Sequence, residues 1–167
     1  MIECSIGDFA GTANTERDMN RAGLATIGVG LLVGTTALAA DLSAVDKAAI
    51  FKAAGFKAQA GSFTRCPEDT SESRTPGAIE LQDLNGDGTL EAFVTESSTY
   101  CYGNTEQAFV LLTKDAKTGW RKLLDEVGVA VPKDTRHKGW KDIEVGGPGM
   151  GPFPVYRFNG KIYVQTK

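Results

Sequence analysis

The stretch that decides the fold is Asp83-Leu84-Asn85-Gly86-Asp87-Gly88-Thr89-Leu90-Glu91, a polar nonapeptide between two short apolar runs. Oxygen-bearing side chains stand at alternate positions, Asp83, Asn85 and Asp87, and Glu91 follows the Gly88 turn. A hard cation such as Ca²⁺ takes about 6–8 oxygens at roughly 2.3–2.6 Å, and a tightly curled loop can supply most of them. Thr89 stands where such loops turn a backbone carbonyl inward. The expectation is a Ca²⁺ site made by Asp83, Asn85, Asp87, the Thr89 carbonyl and Glu91. The alternative is a polar hairpin turn, for which Asn-Gly and Asp-Gly are ordinary residues. A plain turn needs two such residues, not five spaced ligands.

The flanks argue against a helix-loop-helix. Residues 78–82 and 90–95 are both short and strand-like. Position twelve counted from Asp83 is Val94, where an EF-hand would carry its bidentate Glu. An acid at the ninth position, entering a strand, resembles the calcium loops of FG-GAP and VCBS repeats, the blades of integrin-type propellers. The resemblance covers 83–94. It implies a propeller-blade-like calcium loop between two strands. Those families usually carry Asp where this chain has Glu91. One copy of the motif is present, so a propeller built from such repeats is excluded.

Residues 1–40 read as address. Met19-Asn20-Arg21 makes a short basic start, 24–38 is uncharged and mostly apolar or small, and Ala37-Leu38-Ala39-Ala40 supplies a cleavage pattern. The expectation is a secretory signal peptide at 19–40, with Met19 as the true initiator and 1–18 a start placed too early. The alternative is a retained membrane anchor, but the apolar run falls short of the ~20 residues a span needs. The remaining 41–167 are then a single β-rich domain with 16 basic and 17 acidic residues, a net charge of −1. Near-neutrality argues against nucleic acid and against a polybasic membrane dock. The expected localisation is periplasmic or secreted, without stable membrane insertion after cleavage.

Past residue 40 the cysteines are Cys66 and Cys101. In an exported chain two cysteines pair more often than they stay free, and no CxxC pattern points to redox or zinc chemistry. A structural disulfide is expected, two free thiols being the alternative.

Ser43 and Asp46 offer a cap and an acidic first turn for a helix through Ala54, with Gly55 at its end and Val45, Ile50, Phe51 and Ala54 as its apolar stripe. Residues 56–66 suit a hairpin turning at Ala60-Gly61. Residues 107–114 suit a central strand covered on both faces. Asn159-Gly160 between Phe158 and Lys161 is a type I′ hairpin signal. Gly119-Trp120 and Gly139-Trp140 open two similar segments, read as the starts of two strands of a meander or as a vestigial repeat. The predicted class is α+β, β-dominated, with one N-terminal helix and about six to eight mostly antiparallel strands.

Catalysis finds little footing. His137 is the one histidine and sits between Arg136 and Lys138 in a charged loop. No Gly-x-Ser-x-Gly elbow is present. Glu91 and Glu96, five apart on one strand, point to opposite faces. Two loops read as contact surfaces: 146–153, which presents Met150 and Phe153, and 100–104, which presents Tyr100 and Tyr102. The alternatives are a loose linker and half-buried strand ends. The chain is also similar in kind to bacterial periplasmic inhibitors of cell-wall hydrolases. The expected function is an exported, non-catalytic calcium-binding interaction domain, an inhibitor of a cell-wall hydrolase or an adhesive module, whose partner is a protein or cell-wall component. The alternative is a calcium-dependent periplasmic hydrolase in which Glu96 or Asp142 assists a water.

Overall fold

The computed structural model describes residues 42–147, 149 and 152–166; the predicted leader at 1–40 and Met150 lie outside the described residues. Ten strands form three antiparallel sheets, two more strands than the upper sequence expectation. They include the expected hairpin of β1 (Lys57–Gln59) and β2 (Ser62–Thr64), and a strand over 129–137 whose charged end, with His137, reads as a loop in the sequence but pairs in the sheet. The first large sheet runs β3 (Thr75–Gln82), β4 (Glu91–Ser97), β5 (Gln107–Asp115), β6 (Gly119–Val127) in simple up-and-down order. The second runs β7 (Val129–His137), β8 (Trp140–Gly146), β9 (Val155–Phe158), β10 (Tyr163–Gln165), again each strand beside the next.

Helix α1 (Ala44–Ala54) forms where its caps predict. Ser43 Oγ accepts from the Asp46 N–H at 3.1 Å, and Gly55 takes the left-handed conformation at φ 85° that ends the helix. Its buried residues are Ile50, Phe51 and Ala54, whereas Val45 is 80% exposed and does not belong to the stripe. A second helix, α2 (Thr99–Tyr102), is one turn long and was not expected; the Ser98 hydroxyl caps it by accepting from the Cys101 N–H.

Strand alternation sorts the apolar residues of the first sheet into two cores. Ala92, Val94, Val110 and Leu112 face α1. Phe93, Phe109 and Leu111 face the second sheet and meet Ile143, Val145, Tyr156 and Phe158. β5 is therefore covered on both faces, as its unbroken apolar run predicts, with 108–113 all buried. A bulge between β5 and β6 pairs Leu111 with Leu124 and Leu112 with Lys122, which inserts Leu123 as an extra residue. Leu123 and Leu124, though adjacent in sequence, consequently both enter the inter-sheet core.

The turn at Ala60-Gly61 has both residues at positive φ, 48° and 80°, as a two-residue primed turn requires. The Asn159-Gly160 turn differs from its prediction. Phe158 pairs with Tyr163, so four residues loop out, and Asn159 is not among the positive-φ residues. The Asn159 side chain explains the longer loop, since its Oδ1 accepts from the N–H groups of Lys161 and Ile162 at 2.8 and 3.0 Å. Gly119-Trp120 opens the fourth strand of one sheet and Gly139-Trp140 the second strand of the other. Their resemblance thus reflects how a strand begins after a hairpin, not equivalent places in a repeat.

Candidate metal centre at the loop between β3 and β4

The nonapeptide joins β3 to β4, and its acids organise its backbone. Asp83 Oδ1 accepts from the N–H groups of Asn85 (3.2 Å) and Gly86 (2.6 Å), and its Oδ2 accepts from Gly88 N–H (3.0 Å). Asn85 Oδ1 accepts from Asp87 N–H at 2.9 Å, and Asp87 Oδ1 from Thr89 N–H at 2.6 Å. The Asn85 amide donates to Asp87 Oδ2 at 2.8 Å. These bonds favour the charged carboxylates. The Gly86 N–H chiefly holds Asp83 below its ordinary pKa, and the Thr89 N–H chiefly holds Asp87 below its own. Both are anionic at neutral pH.

Glu91 is different. Its side chain is fully buried at the start of β4, on the face toward the second sheet. Oε2 accepts from the Leu84 N–H at 3.0 Å and Oε1 from the Thr113 hydroxyl at 3.0 Å. Burial raises its pKa above the ordinary 4.5; the two hydrogen bonds oppose that rise, and the negative charges of Asp87 and Asp83 add to it. Among the described residues no Lys, Arg or His side-chain nitrogen lies within 4.0 Å of the Glu91 carboxylate. A buried carboxylate beside two further anions lacks a compensating cation.

Leu84, at the loop's second position, ties this chemistry to the fold. Its side chain is fully buried among Phe93, Phe109 and Ile143. Its carbonyl accepts from the Lys141 N–H of β8 at 3.0 Å and from Arg136 Nη1 of β7 at 3.1 Å. Burying such a side chain contributes roughly 1.5–3 kcal/mol, so the loop is anchored between the sheets and does not simply span two strands. The alternation of oxygen side chains points to ligands within 83–91 and gives no role to Leu84 or Thr113. An apolar residue inside a polar loop was the available signal for Leu84; for Thr113, 22 residues from Glu91, there was none.

The donor set retains capacity for an ion. A carboxylate offers about four lone-pair sites, and each of the three acids keeps at least one unused. Their oxygens do not yet converge. Among the described residues, the acid, thiol or imidazole group whose ligand atoms all lie within 4.8 Å is Cys66, Glu68 and Cys101. Both of those sulfurs are engaged in the Cys66–Cys101 disulfide, with Cα atoms 6.2 Å apart, so no thiolate is present to ligate.

The remaining site residues fall in two places. Tyr100 is 72% exposed and Phe153 39% exposed. Tyr102 instead turns inward. It is half-buried, and its hydroxyl donates to Glu96 Oε2 at 2.7 Å, so its polar end is engaged within the domain. Glu96 is buried on the α1 side and also accepts from the Arg65 N–H and the Thr64 hydroxyl, binding the β1–β2 hairpin to the sheet. No family model, curated protein or solved structure matches the chain.

Proposed function

We propose that this chain is an exported, non-catalytic binding domain whose β3–β4 loop takes Ca²⁺ as a structural brace. The observation that carries the reading is Glu91, a buried carboxylate without a cationic partner, facing Asp83 and Asp87 across a loop that Leu84 anchors between the sheets. Asp83, Asn85, Asp87, the Thr89 carbonyl and Glu91 would hold the ion, and the chemistry it supplies is charge compensation. The chain's own residues do the rest. Leu84 passes the loop's rigidity to β8 through the Lys141 N–H, and the Glu91 carboxylate holds the Leu84 backbone and the Thr113 hydroxyl in place. A disulfide agrees with an oxidising compartment, outside the cytoplasm. Exposed Tyr100 and Phe153 are the contact residues for a protein or cell-wall component, as in an inhibitor or adhesive module.

Thermal melting in chelator and then in excess Ca²⁺ tests the brace. Binding to the native state alone adds about 3 kcal/mol at 100 times Kd, which raises Tm by roughly 8–12 °C in a domain of this size. Asp87→Ala should abolish that increment. Equal midpoints in chelator and Ca²⁺ would leave the loop as a hydrogen-bonded turn.

A further inference from the structure

We propose that the turn end of the second sheet is a docking surface for an acidic segment of another protein. In this meander the β7–β8 and β9–β10 turns fall at the same end, opposite the β8–β9 loop. The first turn brings Arg136, His137, Lys138 and Lys141; the second brings Lys161, and Arg121 reaches it from β6. Backbone carbonyls hold these cations together. Lys138 Nζ donates to the Asn159 carbonyl at 2.6 Å, Arg121 Nη1 to the Lys161 carbonyl at 2.8 Å, and Arg136 Nη1 to the Gly139 carbonyl at 2.8 Å.

A neutral carbonyl positions a cation without cancelling its charge. Among the described residues, Arg121, Arg136, Lys138, Lys141 and Lys161 have no carboxylate within 4.0 Å. Two acids stand at this end: exposed Asp134 on β7, which has no ion-pair partner within 4.0 Å among the described residues, and Asp142, which is buried. Its Oδ2 accepts from the Thr135 hydroxyl at 2.8 Å and lies 3.4 Å from Arg157 Nε, and its Oδ1 lies 3.9 Å from His137 Nδ1. The near-neutral chain is thus strongly segregated. Residues 128–166 carry six Lys and Arg against three Asp and Glu, whereas 42–127 carry nine against thirteen.

Uncancelled cations gathered at one end steer an anionic partner and set its orientation. The surroundings select the kind of partner. Asp83 adjoins the patch on the Leu84 side, and Asp125 and Glu126, with Lys122, line the groove that also holds Ile162 and Tyr163. A long polyanion leaving the two turns would run onto acidic surface within a few Debye lengths, about 8 Å each. A short acidic protein segment would not. Exposed Ile162, and half-buried Trp140 stacked on Phe158 at 4.6 Å, place apolar area in the same footprint, which a side chain of such a segment can use.

The probe is a fluorescent peptide of about five glutamates, short enough to stay on the two turns, followed by anisotropy with the whole domain. Affinity should fall about tenfold or more as NaCl rises from about 50 to about 300 mM. Lys138→Gln with Lys161→Gln should weaken it about tenfold at low salt, because two uncancelled contacts are lost. Lys47→Gln with Lys52→Gln, which removes two charges from α1, should leave it unchanged, and melting verifies that both variants fold. Equal loss in the two double variants would overturn the proposal, as would absence of peptide binding. Tighter binding of a single-stranded DNA of equal charge would assign the patch to nucleic acid instead. A dimer by sedimentation that dissociates in the Lys138/Lys161 variant would make the occupant a second copy of this chain.

Discussion

Glu91 carries opposite consequences with and without an ion. Burial raises its pKa above 4.5, so the folded chain binds that proton more tightly than the unfolded chain does. Its contribution to stability is therefore fully present below about pH 4.5 and is lost as pH rises through the folded pKa. Asp83 and Asp87 act with the other sign, since their pKa values are lowered: their contribution is present above about pH 4 and is lost in acid. A difference measurement isolates Glu91. In chelator, Glu91→Gln should equal or exceed the wild type in Tm at pH 7, because a glutamine can accept from Leu84 N–H and donate to the Thr113 oxygen without a buried charge. The wild type should recover that deficit as pH approaches 4.5, and in Ca²⁺ at pH 7 it should be the more stable of the two. A pH-independent gap between the two proteins would show that Glu91 does not titrate in this range. The alternating oxygens of this loop were legible because they lie within nine residues. The inward turn of Glu91 was not, because Thr113 lies on another strand.

Among the elements, the passage from β6 to β7 matters most, since Gly128 alone separates the last strand of one sheet from the first strand of the other. Its N–H still donates to the Gln107 carbonyl of β5 at 2.8 Å, while its φ of 145° turns the chain toward the second sheet. A Cβ there would meet the Gly146 carbonyl oxygen and Val145 Cγ1, both at 2.6 Å. Gly128→Ala therefore combines an unfavourable backbone conformation with overpacking and should cost about 3 kcal/mol, as a shifted urea midpoint with unchanged m. A loss below about 1 kcal/mol would mean that the corner relaxes freely. Helix α1 and the Ala60-Gly61 hairpin were readable because capping and turn chemistry are local. The Asn159-Gly160 loop misled for a related reason: the pair encodes a turn, but the Asn159 side chain bonds two residues onward and lengthens it.

At the scale of the molecule, the Cys66–Cys101 bond closes a loop of sequence separation 35 that contains β3, the candidate metal loop and β4. In the chain-entropy model such a loop contributes about 4 kcal/mol through the unfolded state. Urea unfolding with and without a dithiol reductant should show that loss, and coincident midpoints would remove the disulfide from the stability of the domain. The strand content, the antiparallel order and the pairing of two cysteines followed from the sequence itself, because alternation, turn residues and cysteine number act locally or through composition. What faces what did not. The division of Ala92, Phe93 and Val94 between two cores, the insertion of Leu84 between the sheets, the inward turn of Tyr102 and the gathering of cations from two turns and β6 depend on residues separated by 6 positions, as Tyr102 and Glu96 are, to more than 50, as Leu84 and Lys141 are. Contacts at such separations are set by how the sheets meet, and only the folded chain contains that meeting.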